Sequence, residues 1–252
     1  MSADTFRRLS PRLLVPAIAA TLLAGLVWAR TRRVKAHEER EPADVGFMRA
    51  MHDALRRDMA RLRTVAPWLE GSQDGMPHVR EGWDEFRTEL QRHHAAEDDD
   101  LWPVLRQHVT LEHDHREIDA MVDEHRKLEP AIAAVDTALA NGTGITPAVD
   151  ELDEVLVRHL DHEERTIFPL LEQHLSRREW RTFLVTERRR TPLRHRPEFL
   201  TWVLDDANDS DSAAVLAELP PPGRLVYRRV LAPRYAAKHR WETDTPAMVR
   251  AS

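Results

Sequence analysis

The sequence predicts an all-α protein: an antiparallel, up-down four-helix bundle with additional short helices at its carboxy-terminal end. Three observations predict it. Long segments rich in Ala, Leu, Glu and Arg carry apolar residues at helical spacing, and the chain has only 8 Gly and 2 Tyr. Four such segments of roughly 25 to 30 residues are joined by short loops, which forces neighbours to run antiparallel. One fragment then occurs twice in matching frame, once in the second segment and once in the fourth.

The chain divides into residues 1–43, 44–175 and 176–252. In the first region, Leu13 to Ala29 carries no charge and lies between Arg7, Arg8, Arg12 and Arg30, Arg32, Arg33, Lys35. It suits a single membrane anchor with Trp28 at an interface. A signal peptide ending at Val27-Trp28-Ala29 is the rival reading, and a cytoplasmic chain is the runner-up for location. A charged linker follows and ends near Pro42.

The first amphipathic helix runs from about Asp44 to Leu69, its apolar stripe being Met48, Met51, Leu55, Met59 and Leu62, with His52 inside the stripe. Gly71 to Pro77 reads as a loop. The second helix covers about His78 to His108, and Pro103 bends it or marks its last turns. The third spans about Leu111 to Ala140, with Ile118, Met121, Val122, Leu128, Ile132, Val135 and Leu139 on the buried side and His125 among them. Asn141-Gly142-Thr143-Gly144 ends it. Thr146-Pro147 predicts an N-cap and first-turn Pro for the fourth helix, which continues to about Leu175. Beyond it come an Arg cluster (Arg188, Arg189, Arg190, Arg194, Arg196), read as a solvated face, and short helical pieces around Trp202 and Ala213–Leu219. These form a layer over one side of the bundle, and the tail beyond about Trp241 is expected to be disordered.

The repeated fragment carries the chemistry. His93-His94-Ala95-Ala96-Glu97 runs on to Leu101-Trp102-Pro103-Val104-Leu105, and His159-Leu160-Asp161-His162-Glu163 runs on to Ile167-Phe168-Pro169-Leu170-Leu171. Upstream, Phe86 and Leu90 stand where Leu152 and Leu156 stand. His and Glu four apart share one helix face, roughly 5–6 Å apart at Cβ. With His52 and His125 added, each of the four helices turns an imidazole inward. Four imidazoles and two carboxylates in an apolar interior are costly unless something binds them together. A metal does so. The chain has no Cys, which excludes thiolate zinc sites, iron–sulfur clusters, disulfides and Cys nucleophiles. Mixed imidazole and carboxylate donors suit iron, manganese or zinc rather than magnesium or calcium. Six donors exceed one tetrahedral zinc, whereas two ions about 3.5–4 Å apart, bridged by Glu97 and Glu163, would use them all. The net charge of -6 argues against a general nucleic-acid binder.

His52, the His93–Glu97 pair, His125 and the His159–Glu163 pair resemble the pattern of hemerythrin-like (HHE cation-binding) domains, over about residues 45 to 175. The resemblance implies a four-helix bundle with a non-haem di-iron centre whose ligands are His52, His93, Glu97, His125, His159 and Glu163. It also implies a small ligand such as dioxygen, peroxide or nitric oxide, to be bound, sensed or detoxified; the sequence names no particular protein partner. A di-iron oxidase or peroxidase and a metal-responsive interaction module are the alternatives. One departure stands out. Oxygen-carrying hemerythrins use two His four apart on the third helix, but His125 has Met121 before it and Glu129 after it. A ligand is therefore missing, or Glu129 replaces it. By helical geometry His94, His113 and His162 point away from the ligand stripe, His115 lies off it, and Asp98 and Glu164 face outward.

Overall fold

The structure, a computed structural model, describes residues 39, 41–71, 76–192, 194–217 and 219–242. Helix α1 (Gly46–Leu69) buries Met48, Met51, Leu55, Met59 and Leu62 with His52 among them, as their spacing predicts. Helix α2 (Met76–Ala96) starts inside the expected loop and runs into a π-helical turn over Glu97–Leu101. There the Trp102 N–H donates to the Glu97 carbonyl, five residues back, before α3 (Trp102–His108) completes the rod. The disturbance expected at Pro103 thus takes the form of a wider turn just ahead of it. Proline has no N–H for the carbonyl four residues earlier, so the ladder rearranges upstream.

Helix α4 (Glu112–Asn141) closes on Gly142 in the left-handed region, φ 69°, with the Gly142 N–H returned to the Ala138 carbonyl. Helix α5 (Ile145–His174) begins one residue before Thr146, so Thr146 is not its N-cap. The carboxylate of Glu70, at the end of α1, does that work from across the bundle. It accepts the Gly144 and Thr146 N–H groups at 3.0 Å each, placing negative charge at the helix's positive end.

In the bundle α1 packs on α5 and α2, and α4 packs on α5, α2 and α3. The apolar interior falls into two clusters, one containing Leu55, Leu90, Leu128 and Leu156, the other Met48, Leu101, Trp102, Met121, Ile167 and Phe168. Each rod passes from one cluster to the other, and the direction alternates. Along α1 the order is Met48, His52, Leu55; along the α2 rod it is Leu90, His93, Leu101. Along α4 it is Met121, His125, Leu128; along α5 it is Leu156, His159, Ile167. That alternation is the up-down topology, and the polar residues form a layer between two apolar plugs.

Helix α6 (Arg177–Arg190) starts on a capping box, Ser176 with Glu179, and buries Trp180. Helices α7 (Arg196–Leu204) and α8 (Asp209–Ala217) lie against α1. The indole of Trp202 is fully buried and donates Nε1–H to the buried Asp58 carboxylate at 2.7 Å. Then follow α9 (Pro221–Val226), a π-helical turn over Tyr227–Leu231, and α10 (Ala232–Ala236). The chain finally lays Trp241 against Gly82 of α2, where a Cβ would meet the indole at 2.5 Å, so only glycine allows the approach. Of the Arg cluster, Arg188, Arg189, Arg190 and Arg194 are exposed, whereas Arg196 is half-buried and donates Nε–H to the Thr191 carbonyl at 3.0 Å.

The membrane anchor needs correction. Among the described residues no helix is long and apolar enough to cross a membrane, because each long helix keeps a charged outer face. Residues 13–29, on which that expectation rested, lie outside the described residues, as do 243–252 of the expected disordered tail.

Candidate metal centre

The structure brings all six predicted residues into the polar layer. His52, Glu97 and Glu163 are fully buried and His93, His125 and His159 nearly so. Together with His94, which was not among the six, they form two groups, within each of which the ligand atoms lie within 4.8 Å of one another: His52, His93, Glu97 and Glu163 in one, His94, His125 and His159 in the other. The two Glu residues join the groups. Glu97 Oε1 lies 3.3 Å from His93 Nε2, while its Oε2 lies 3.4 Å from His125 Nε2. Glu163 Oε2 lies 3.2 Å from His52 Nε2 and 4.0 Å from His159 Nε2.

His93 Nε2 and His52 Nε2 are within hydrogen-bond reach of each other at 3.2 Å, but most of the closeness here is not hydrogen bonding. Both oxygens of Glu97, both of Glu163, and Nε2 of His94, His125 and His159 are buried and find no hydrogen-bond partner among the described residues. A buried polar group without a partner costs roughly 1–3 kcal/mol, more if charged. Seven such atoms converging on one layer, in short but misaligned contacts, fit a donor set aimed at shared points between them. The residues present therefore suit a metal centre of imidazole and carboxylate donors.

The outer nitrogens tell the complementary story. His52 Nδ1 meets Glu164 at 2.9 Å, His125 Nδ1 meets Asp98 at 3.0 Å, and His159 Nδ1 meets Glu124 at 3.0 Å. A carboxylate behind an imidazole fixes its tautomer, leaving the opposite nitrogen with a free lone pair. Arg56 in turn holds Glu164 at 2.6 Å and Asp161 at 2.7 Å. Asp98 and Glu164 thus correct the expectation that they face outward: each reaches sideways to the His of a neighbouring helix. Because that neighbour lies far away in sequence, the spacing within one helix could not reveal it. Glu124 also takes His162 Nδ1 at 2.9 Å, and Glu117 takes the other ring nitrogen at 3.0 Å. His162 is therefore a half-buried supporting group, as expected, while His113 is exposed.

The fields in this layer oppose one another. Burial would lower the His52 pKa, yet Glu163 and Glu164 lift it to about 9. His125, also opposed by burial, is lifted to about 9 by Asp98 and Glu97. Burial and the adjacent Glu163 push Glu97 up to about 8. Glu163, despite burial, is held at about 2 by His52. Burial and the neighbouring imidazoles keep His93 and His94 well below the usual range. Without a metal, the two Glu residues are pushed in opposite directions, Glu97 toward the neutral acid by burial and Glu163 toward the anion by His52.

His94 is the residue the helical reckoning misplaced. Its ring is buried and stacks on His125 with centroids 4.0 Å apart and planes 13° apart, edge-on to His159 at 5.3 Å. Consecutive residues lie about 100° apart around a helix, so they can face two different neighbours. His93 turns toward α1 and His94 toward α4 and α5. The signal was the doublet itself, since the second copy has Leu160 at the equivalent position. Glu129 is exposed and His115 only half-buried, and neither belongs to the groups.

Residues 43–171 match the hemerythrin HHE cation binding domain. The chain belongs to the hemerythrin-like family. Over 134 residues it is 30% identical to an uncharacterized hemerythrin-like protein of Schizosaccharomyces pombe, covering 52% of this chain and 64% of that protein. The chain thus spans a little under two thirds of that relative's length. No solved structure matches it. Membership in the hemerythrin-like family implies metal binding, and among the described residues these His and Glu groups could hold the metal.

Proposed function

We propose that the chain holds a non-haem di-iron centre and uses it to bind, sense or detoxify a small molecule such as dioxygen, peroxide or nitric oxide. Glu97 carries this reading: its oxygens, both without a hydrogen bond, lie toward His93 on one side and His125 on the other. A carboxylate so placed would hold two ions together with Glu163, while His52, His93, His125 and His159 would supply the nitrogen donors. Iron in such a site supplies small-molecule binding and electron transfer; manganese or zinc would fit the same donor types.

The chain's own residues do the rest. Glu164, Asp98 and Glu124 orient three imidazoles through Nδ1. The two apolar clusters, including Met48, Leu101, Met121 and Ile167 on one side and Leu55, Leu90 and Leu156 on the other, flank the layer and keep bulk water from it. The oxidase or peroxidase alternative drew on Glu129 as an extra carboxylate donor, and Glu129 lies exposed outside the layer.

The test is metal analysis of the purified protein with absorption spectra before and after air and azide. Expected are about two irons per chain, with His93→Ala and His159→Ala losing most of the metal while remaining helical. A folded protein that takes up no iron after iron-supplemented expression would end this reading.

A further inference from the structure

Helix α4 offers the layer a single imidazole. One turn before His125 stands the fully buried Met121, and one turn after it the exposed Glu129. The group at this side of the layer nevertheless contains three imidazoles, because His94 enters it from α2. We propose that His94 is a metal ligand, completing with His125 and His159 the three-nitrogen half of the centre in place of a second His on the third helix. This rests on the dinuclear reading above and assigns one further donor within it.

Four observations carry it. The inner nitrogens of His94, His125 and His159 are all buried and all lack a hydrogen-bond partner among the described residues. They converge on one another within 4.8 Å. The parallel stack of His94 on His125, at 4.0 Å and 13°, sets the two rings side by side rather than donor to acceptor. A ring retained only for packing needs no nitrogen in such a place, and the second motif copy shows the alternative: Leu160, fully buried in the apolar cluster.

The helix geometry explains how one turn serves both halves. With His93 at the origin, His94 lies about 100° round the axis and Glu97 about 40°. Glu97 therefore sits angularly between the two imidazoles, which is why its two oxygens lie toward different groups. The order His-His-x-x-Glu makes α2 a two-sided ligand helix, while His-Leu-x-x-Glu leaves α5 with one imidazole in the ligand groups. The π-helical turn begins at Glu97, the residue on which both halves depend. Wide turns of this kind occur often at functional sites.

The test uses the full chain and cobalt(II) alone as the probe. Titration of the wild type should reach about two ions per chain, and His94→Leu should reach about one with an unchanged far-ultraviolet dichroism spectrum. In His94→Ala, added imidazole should restore the second ion, which a packing role would not produce. If His94→Leu still binds two ions as tightly as the wild type, His94 is not a ligand and the dinuclear reading stands. If the wild type binds none, the dinuclear reading itself falls. Should either variant fail to fold, the cobalt-loaded wild type still decides. Its proton spectrum in water should show about five hyperfine-shifted exchangeable imidazole N–H signals, and about four would overturn the assignment.

Discussion

The motif copy that begins in α2 and the copy in α5 start alike. Each turns a Glu inward, Glu97 or Glu163, and each sends the next acidic residue to Nδ1 of a His on another helix: Asp98 to His125, Glu164 to His52. They diverge at two places. Where the first copy has His94 the second has Leu160. Behind His159 stands Glu124, the residue before His125, whereas the residue before His52 is the apolar Met51. Both copies reach the two halves of the layer through their Glu, but the first sends an imidazole to each half, while the second sends one and depends on a carboxylate lent by α4. Repetition in a sequence sets up matching half-sites, but single residues on neighbouring helices decide what each half-site does.

The sharpest way to break this comparison is to neutralise each bridge in turn. Glu97→Gln should weaken metal binding by more than about 100-fold and leave less than one ion per chain, because it removes a donor from both halves. Glu163→Gln should cost less, because only its Oε2 approaches both halves, at 3.2 Å from His52 and a longer 4.0 Å from His159. Equal losses by metal titration would mean that the copies are equivalent.

A smaller effect is expected from the supporting carboxylates. Glu164→Gln and Asp98→Asn should each lower metal affinity about 10–100-fold without unfolding the bundle. Glu164→Gln should cost more, because Arg56 then loses a charged partner held at 2.6 Å. Isothermal titration reads both, and a neutral result for either would show that its imidazole needs no orienting group.

The mildest consequence concerns pH in the metal-free protein. His52 and His125 are raised to about 9, so their contribution to stability is complete below 6.5 and is lost as pH rises through about 9. Glu97, raised from 4.5 to about 8, acts with the same sign. The lowered His93 and His94 oppose this only below 6.5. The Tm of the metal-free chain should therefore fall between pH 6.5 and 9, and Glu97→Gln should flatten that fall. Glu163, held at about 2, contributes instead above 4.5 and loses its share as pH drops toward 2. A metal-free Tm that rises between pH 6.5 and 9 would refute these directions of shift.

Much of this was legible in the chain. The stripe Met48–Leu62 and the Gly142 stop are local properties, and so is the His93–Glu97 spacing, which needs only a regular helix. What escaped was decided between helices. Glu70 caps α5 because the bundle returns the end of α1 to the start of α5. Asp98 and Glu164 read as surface residues until the adjacent helix supplies an imidazole. Trp241 docks on Gly82 through contacts more than half the chain apart, and neither residue announces the other. His94 was hidden by a rule that is correct for one buried face and fails for a helix with two.

The layer between the apolar clusters has one more effect. Sliding any rod by a single turn, about 5.4 Å, would drive an imidazole or carboxylate into leucine and methionine and bring a hydrocarbon among charges. An all-leucine interior would tolerate such a slip; this one forbids it. The ligand tier thus acts as an alignment key, selecting the vertical match of all four rods before any ion arrives.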